Sequence, residues 1–544
     1  TRWRALAGDG ARWRRFGDCR VFNYFRRVNY NTQILHQNNL RGNKLTTFNI
    51  INANMKTKNT LVFDDQTIQS LFGFEDAESE PIDRLKEFFF KKDTYERVTA
   101  ELPVRILVGH KGTGKSALFK IAISEEMDKG NLPILIKPDD IAEIGLDSND
   151  FLLKIRQWKQ GLLQIINAQV YEKFNITDSK TFNTQLQRGL NFINFLVQTI
   201  NLNTQIDLSP IQQKMKENFL RKQKIVVYLD DLDRGWQGKK EDINRISALL
   251  NAIRDLSNDN EGLLFKVSLR SDVYYLVRTS DESTDKIESS VIWYKWTNHE
   301  ILVLLIKRIL TYFGEPANEC SLMKTPQHYL SHHLDDIFEK RFAGMGKWSN
   351  VPTYKVLMSL IRKRPRDLVK LCTLAAQQAR LNNCNIIRTE HLRNIFEEYS
   401  QGRVQDTINE YKSELPDIEN LIWGMKPNKA ERQASDAYIY TTSQLQQKIQ
   451  KIQERNRKFI FANRREATPQ DLAQFLYKIN FITARKESAD GNWIQRKYFE
   501  ENRYLSSAFV DFGYDWEIHP AFRWALQPDD INSIFTRLKL SDDD

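Results

Sequence analysis

The sequence predicts an α/β protein built on a doubly wound parallel sheet, and three observations predict it. The run Val104-Arg105-Ile106-Leu107-Val108 feeds into Gly109-His110-Lys111-Gly112-Thr113-Gly114-Lys115-Ser116 and then a helical stretch reaching Met127. A second run, 224–229, is apolar without alternation and ends in Asp230-Asp231-Leu232-Asp233-Arg234. Strand-like and helix-like segments then take turns from 104 to 295. Unbroken apolar strands suit a sheet covered on both faces. Strands alternating with helices make parallel crossovers, which gather chemistry at the strand C-termini.

The loop has the spacing G-x-x-x-x-G-K-S in the strand–loop–helix setting its chemistry needs. Its glycines let successive N–H groups face a phosphate, and the helix adds the positive end of its dipole. Gly109, His110, Lys111, Gly112, Thr113, Gly114, Lys115, Ser116 and Ala117 are the expected nucleotide-binding residues. Lys115 is expected to neutralise the β- and γ-phosphates, and Ser116 to hold Mg²⁺.

The second strand end supplies acid. A carboxylate there sits beside the loop and binds Mg²⁺, while another orients or deprotonates water. Asp230 is assigned to the metal and Asp231 to the water; Asp233 and Arg234 extend the network.

The other elements follow in order. Residues 83–97 read as a helix, packed against the sheet edge near a base. Residues 132–137 read as a second strand. Residues 148–222 read as a mostly helical insertion, with Phe151, Leu152, Ile155, Trp158, Leu162 and Ile165 at helical spacing. Residues 242–256 are helical, and 263–269 make a fourth strand ending in Arg270. A cation at that tip reaches a γ-phosphate and reports hydrolysis; a charged loop residue is the plainer alternative. A fifth strand at 291–295 and a helix at 298–312 close the domain. Residues 316–400 read as a helical lid, interrupted by Arg362-Lys363-Arg364-Pro365-Arg366-Asp367. An arginine here, Arg366 above all, would swing onto the nucleotide; a basic surface turn is the other reading.

The tail changes character. A helix at 443–455, an N-cap at Thr468 with Pro469 just inside, and apolar runs flanking Asp490-Gly491-Asn492 give helix, helix, hairpin. That is winged-helix order. Its cations Arg485, Lys486, Arg496 and Lys497 stand where a wing touches phosphates. The surplus of basic over acidic residues across 441–527 is only four, modest for a committed DNA binder. The domains are therefore drawn as 55–315 (ATPase, with the insertion at 148–222), 316–400 (lid) and 401–544 (linker plus winged-helix-like domain).

Composition limits the field. The chain has 544 residues, 41% hydrophobic and 28% charged, ordinary for a soluble protein of several domains. No apolar run approaches bilayer length, and the four cysteines form no C-x-x-C pair, so a cytoplasmic protein without structural zinc is expected. The net charge of +10 is concentrated in residues 1–54, with ten Lys/Arg against two acids and no serine. Three readings stand for that segment: a nucleic-acid arm, a transit peptide, or translated upstream sequence ahead of Met55, the last being preferred.

With these motifs in place, the chain resembles the STAND and KAP branches of the AAA+-related P-loop ATPases across about 80–530. The spellings GHKGTGKS and LDDLDRGW are similar to those of uncharacterised bacterial P-loop ATPases. The lid followed by a winged helix is similar to archaeal and eukaryotic replication-initiator ATPases. The resemblance implies ATP and Mg²⁺, self-association or partner-induced assembly with an arginine finger from a neighbour, and roles in signalling, stress response or phage defence. KAP proteins usually carry membrane helices in the insertion, which this chain lacks. AAA+ enzymes usually place Glu after the metal-binding Asp. Here the shorter Asp231 implies slow or partner-activated hydrolysis. The expected function is an ATP-driven molecular switch. The alternative is a winged-helix DNA-binding protein of initiator type, with nucleic acid held through 441–527 and a mainly structural nucleotide site.

Overall fold

A computed structural model describes residues 61–146, 150–175, 192–202, 209–280, 282–433, 437–456, 458–487, 494–503, 505, 513–527 and 534. The basic leader 1–54 and the turn at 490–492 lie outside the described residues.

Three short helices, α1 (Asp65–Phe72), α2 (Ile82–Phe88) and α3 (Asp93–Thr99), precede the sheet. The single helix expected at 83–97 is thus divided. Phe88, Phe89 and Phe90 are all buried, and three consecutive side chains cannot share one helix face, so the chain turns extended at Phe89.

The sheet is five-stranded, all parallel, in the order β2-β3-β4-β1-β5. Its strands are β1 (Val104–Val108), β2 (Leu132–Ile136), β3 (Ile225–Leu229), β4 (Leu263–Leu269) and β5 (Val291–Trp293). Alternation works within each apolar run. Val226 and Tyr228 of β3 enter one core, whereas Ile225, Val227 and Leu229 enter the other. Even Lys266 in β4 is buried. Its ammonium donates to the Ala100 carbonyl at 2.6 Å, and burial pulls its pKa down to about 7.

Helix α4 (Lys115–Asp128) follows β1, and α5 (Phe151–Lys173), α6 (Phe192–Leu202) and α7 (Pro210–Lys222) form the insertion between β2 and β3. The insertion packs in the core shared with α8 (Lys240–Asp259). Helices α9 (Ser271–Ser280) and α10 (Asn298–Phe313) flank β5.

The lid region is not purely helical. After α11 (Glu319–Lys324) and α12 (Gln327–Leu330), strands β6 (Arg341–Ala343) and β7 (Ser349–Pro352) form an antiparallel pair. That pair buries Phe342 and Trp348 against Phe396 and Trp524. Then come α13 (Thr353–Leu360), α14 (Pro365–Leu381) and the long α15 (Thr389–Tyr411).

The tail is winged-helix-like. Helices α16 (Ile418–Gly424), α17 (Lys429–Gln433), α18 (Thr442–Arg455) and α19 (Pro469–Lys478) accompany a four-stranded antiparallel sheet, β10-β9-β11-β8. Its strands are β8 (Ile439–Tyr440), β9 (Ile482–Glu487), β10 (Ile494–Lys497) and β11 (Asp515–Ile518), followed by α20 (Arg523–Leu526). The wing cations divide by strand parity. Lys486 is exposed and Lys497 half-buried, but Arg485 and Arg496 point inward to Glu517, with Arg496 Nε 2.8 Å from its carboxylate. Two of the four residues expected on phosphates are therefore core residues.

Candidate nucleotide site

The phosphate loop begins where β1 ends. Gly109 N–H donates to the Leu269 carbonyl at 3.2 Å, holding the loop to β4. Gly112 and Gly114 have φ of +82° and +94°, the left-handed region where a side chain is strained. A Cβ on Gly109 would also lie 3.1 Å from the Tyr294 carbonyl. Thr113 closes the turn by donating to the His110 carbonyl at 2.8 Å, and Trp296 Nε1 holds the Thr113 carbonyl at 2.8 Å. Helix α4 then starts at Lys115. Its first-turn amides are the ones a helix leaves without internal partners.

These amides border a cavity of about 610 Å³. Gly112, Gly114, Lys115, Ser116 and Ala117 line it from the loop; Asp230, Asp231 and Asp233 from the end of β3; Arg270 from the end of β4; Arg366 from α14; and Asn409, Glu410 and Ser413 from the end of α15 and just beyond. Phe74, Leu85, Phe88 and Val369 make its apolar part. Size and mixed lining fit a nucleoside triphosphate. Lys115 Nζ donates to the carbonyls of Gly109 (2.9 Å) and His110 (3.1 Å). Desolvation lowers its pKa, against the pull of Asp233 and Asp230.

The three aspartates after β3 differ. Asp230 is half-buried, and its carboxylate accepts the Asp231 N–H at 2.9 Å. Asp231 sits at φ +59° with its side chain half-exposed, 3.2 Å from Arg234 Nε. That left-handed turn sends Asp233 back inward, where it accepts from Arg270 Nη1 at 3.4 Å. Burial raises the Asp233 pKa despite Arg270.

Arg270 is already engaged. It makes a two-pronged pair with Asp272 (3.0 and 2.7 Å), lies 3.8 Å from Glu410, and stacks 5.0 Å from the Tyr411 ring. Arg366 meets the loop through its backbone, donating N–H to the Gly112 carbonyl at 3.3 Å, and its Nε donates to the Glu75 carbonyl at 2.9 Å. The basic turn at 362–367 is not a surface feature. Arg362 and Arg403 are buried on Asp367, at 2.8 and 2.7 Å, and Arg364 is buried 3.8 Å from Glu410.

Sequence reasoning missed Asn409, Glu410 and Ser413, which lie far downstream in no recognisable spacing. Of the expected loop residues, Lys111 also borders the cavity, whereas Gly109, His110 and Thr113 are not among its lining residues.

Among the described residues, Cys384, Glu390 and His391 lie close enough to share a metal ion. His391 Nδ1 accepts the Arg388 N–H at 2.9 Å, so the neutral ring carries its proton on Nε2, the nitrogen 3.5 Å from Glu390. A metal would need that nitrogen bare. His391 therefore serves as a helix cap.

Residues 321–408 match the family described as the FunZ-associated C-terminal helical domain. A protein of Escherichia coli (strain K12), of 80.3 kDa and named for transposon gamma-delta, is 22% identical over 473 residues, 79% of this chain. The match spans 64% of that relative's length. Three solved structures resemble the chain at low scores. The Walker-type ATPase PABY2304 of Pyrococcus abyssi has a TM-score of 0.37 at 13% identity, covering 82% of this chain and 96% of its own. Cdc6p of Pyrobaculum aerophilum has 0.26 at 13%, covering 86% and 97%. The Aeropyrum pernix ORC1 protein in complex with DNA has 0.30 at 11%, covering 86% and 96%. All three scores are below 0.5.

Proposed function

We propose that this protein binds ATP at the C-terminal end of its parallel sheet and hydrolyses it, working as a molecular switch of the STAND and AAA+-related type. The observation that carries this reading is one cavity lined together by the loop glycines, Lys115, Ser116 and Asp230. The first-turn amides of α4 and Lys115 would hold the phosphates. Ser116 and Asp230 would hold Mg²⁺, which when bound supplies charge neutralisation at the phosphates. The apolar part around Phe74, Phe88 and Val369 would take the base.

Asp231 would orient the attacking water. Its short, half-exposed side chain fits slow or partner-stimulated turnover. Arg270 would report the γ-phosphate after exchanging one of its present carboxylate partners, and Arg366 would follow lid movement from its contact with the loop. In this reading 55–315 is the ATPase domain, 316–400 its lid and 401–544 a linker with the winged-helix-like domain. Self-association and a stress-response or phage-defence role follow from the sequence resemblance, and nucleic acid as a partner from the helix-helix-hairpin order and its cations in 441–527. Among the described residues no helix is long and apolar enough to cross a membrane.

Calorimetric titration of ATP with Mg²⁺ into the wild type and Lys115→Ala tests the reading, alongside phosphate release. Binding by the wild type and at least a ~100-fold loss in the variant are expected. Equal behaviour of the two proteins overturns it.

A further inference from the structure

We infer that the winged-helix-like module supplies a positioning residue to the nucleotide site: Glu500, acting on the phosphate loop through His110. The inference rests on the loop being a nucleotide site, as proposed above.

The second residue of the loop is wholly buried, and its side chain faces other parts of the chain. His110 Nε2 lies 2.8 Å from Glu500 Oε1, and Nδ1 lies 3.3 Å from the Tyr411 hydroxyl at the end of α15. Burial, with Arg364, Arg270 and Lys115 nearby, keeps the imidazole neutral far below its usual range. One loop residue thus joins the ATPase sheet, the lid helix and the tail.

Glu500 is itself held in place. Asn480, at φ +57° just past α19, donates to both Glu500 oxygens (3.0 and 3.3 Å) and accepts the Phe499 N–H at 3.1 Å. The neighbours of Glu500 bind the surrounding elements. Phe499 packs edge-on to Tyr275 at 5.5 Å, Lys363 donates to Glu501 at 2.8 Å, and the Arg503 guanidinium lies 4.0 Å from the Trp293 ring. Residues 498–503 form a wedge behind the loop, anchored to α9, the basic lid turn and β5.

The loop carbonyls give this wedge a route to the ligand. Lys115 donates to the carbonyl of His110, the residue whose ring lies against the wedge. Any phosphate that draws Lys115 away alters the hydrogen bonding of that backbone. By linkage, whatever nucleotide does to His110 is felt at Glu500, and the reverse holds by the same factor. The tail therefore completes the site as well as being moved by it.

The test compares the full-length wild type with Glu500→Gln, which preserves side-chain size but removes the charge. ATP affinity in the presence of Mg²⁺ should weaken about 5- to 100-fold, the ordinary range for coupled sites. Hydrogen exchange at 109–116 should quicken without nucleotide. In the wild type ATP should slow exchange at 498–503, and in the variant it should not. Affinity within twofold of the wild type, with unchanged exchange at 109–116, overturns the inference while leaving the nucleotide site standing. A wild type that binds no ATP overturns the nucleotide reading itself, and the inference falls with it. If Glu500→Gln does not fold, Lys363→Ala loosens the same wedge one residue away. The same shift in exchange at 109–116 is then expected, and its absence overturns the inference.

Discussion

Two regions of this molecule use the same residue types to opposite ends. At the tips of the parallel strands, Asp230, Asp231, Lys115 and Ser116 border an open cavity, and Asp230, Asp231 and Lys115 are partnered by backbone groups or a surface charge. In the tail, Arg485 and Arg496 of the antiparallel sheet and Arg523 of α20 converge on Glu517, and all four are 4% exposed or less. A strand end opens a cleft where charge stays available to a ligand. The interior of a covered strand closes its charges on one another, because a buried ion must be paired. Basic residues on a hairpin are therefore weak evidence for nucleic acid until their strand parity is known.

The comparison can be broken at several points. The largest effect is expected from Glu517→Gln, which leaves the buried guanidinium groups of Arg496 and Arg523 without their carboxylate, while Arg485 keeps Glu487 at 2.6 Å. It should cost about 3–5 kcal/mol by chemical denaturation. If the loss is under ~1 kcal/mol, the cluster is not the closed core described here.

Acid should act on the same residue. Burial alone would raise the Glu517 carboxyl; Arg496, Arg523 and Arg485 overcome that and hold its pKa at about 2. A carboxyl depressed from its ordinary ~4.5 contributes stability that is fully present above that pH and lost as pH falls towards 2, about 3 kcal/mol in all. Denaturation followed from pH 6 to pH 2 should show this slope in the wild type and a shallower one in Glu517→Gln.

In the cleft the pattern should reverse. Asp231→Asn should leave stability within about 0.5 kcal/mol, because its ion pair with Arg234 is at the surface. It should lower phosphate release by about 10²-fold with ATP binding retained. Unchanged turnover would pass the water-orienting role to another carboxylate, with Asp233 the nearest alternative along the chain.

The smallest effect is expected from Lys486→Ala with Lys497→Ala. These outward wing cations should change stability by less than about 0.5 kcal/mol. Two phosphate contacts at most would give duplex DNA binding a log–log salt slope no steeper than about −2. A slope several times steeper would show that nucleic acid is gripped elsewhere on the molecule.

What the sequence determined by itself is the part written in neighbouring residues. Apolar runs without alternation announce covered strands, glycines at fixed offsets announce a loop between strand and helix, and alternation with helices announces parallel crossovers. These signals are local, so one chain suffices to read the five-stranded sheet and the position of the loop within it. The same local view merged 83–97 into one helix, because a helical period does not reveal that Phe88, Phe89 and Phe90 must all be buried. Only the tertiary structure decided which charges face the cleft. Arg362 and Arg366 are four residues apart, yet one is sealed on Asp367 and the other borders the cavity. Glu410 and Glu500 reach the loop region from some 300 and 390 residues downstream of it, through contacts that no spacing encodes. The reason is physical: backbone geometry is set by a few adjacent dihedral preferences, whereas the environment of a charge is set by everything that packs around it.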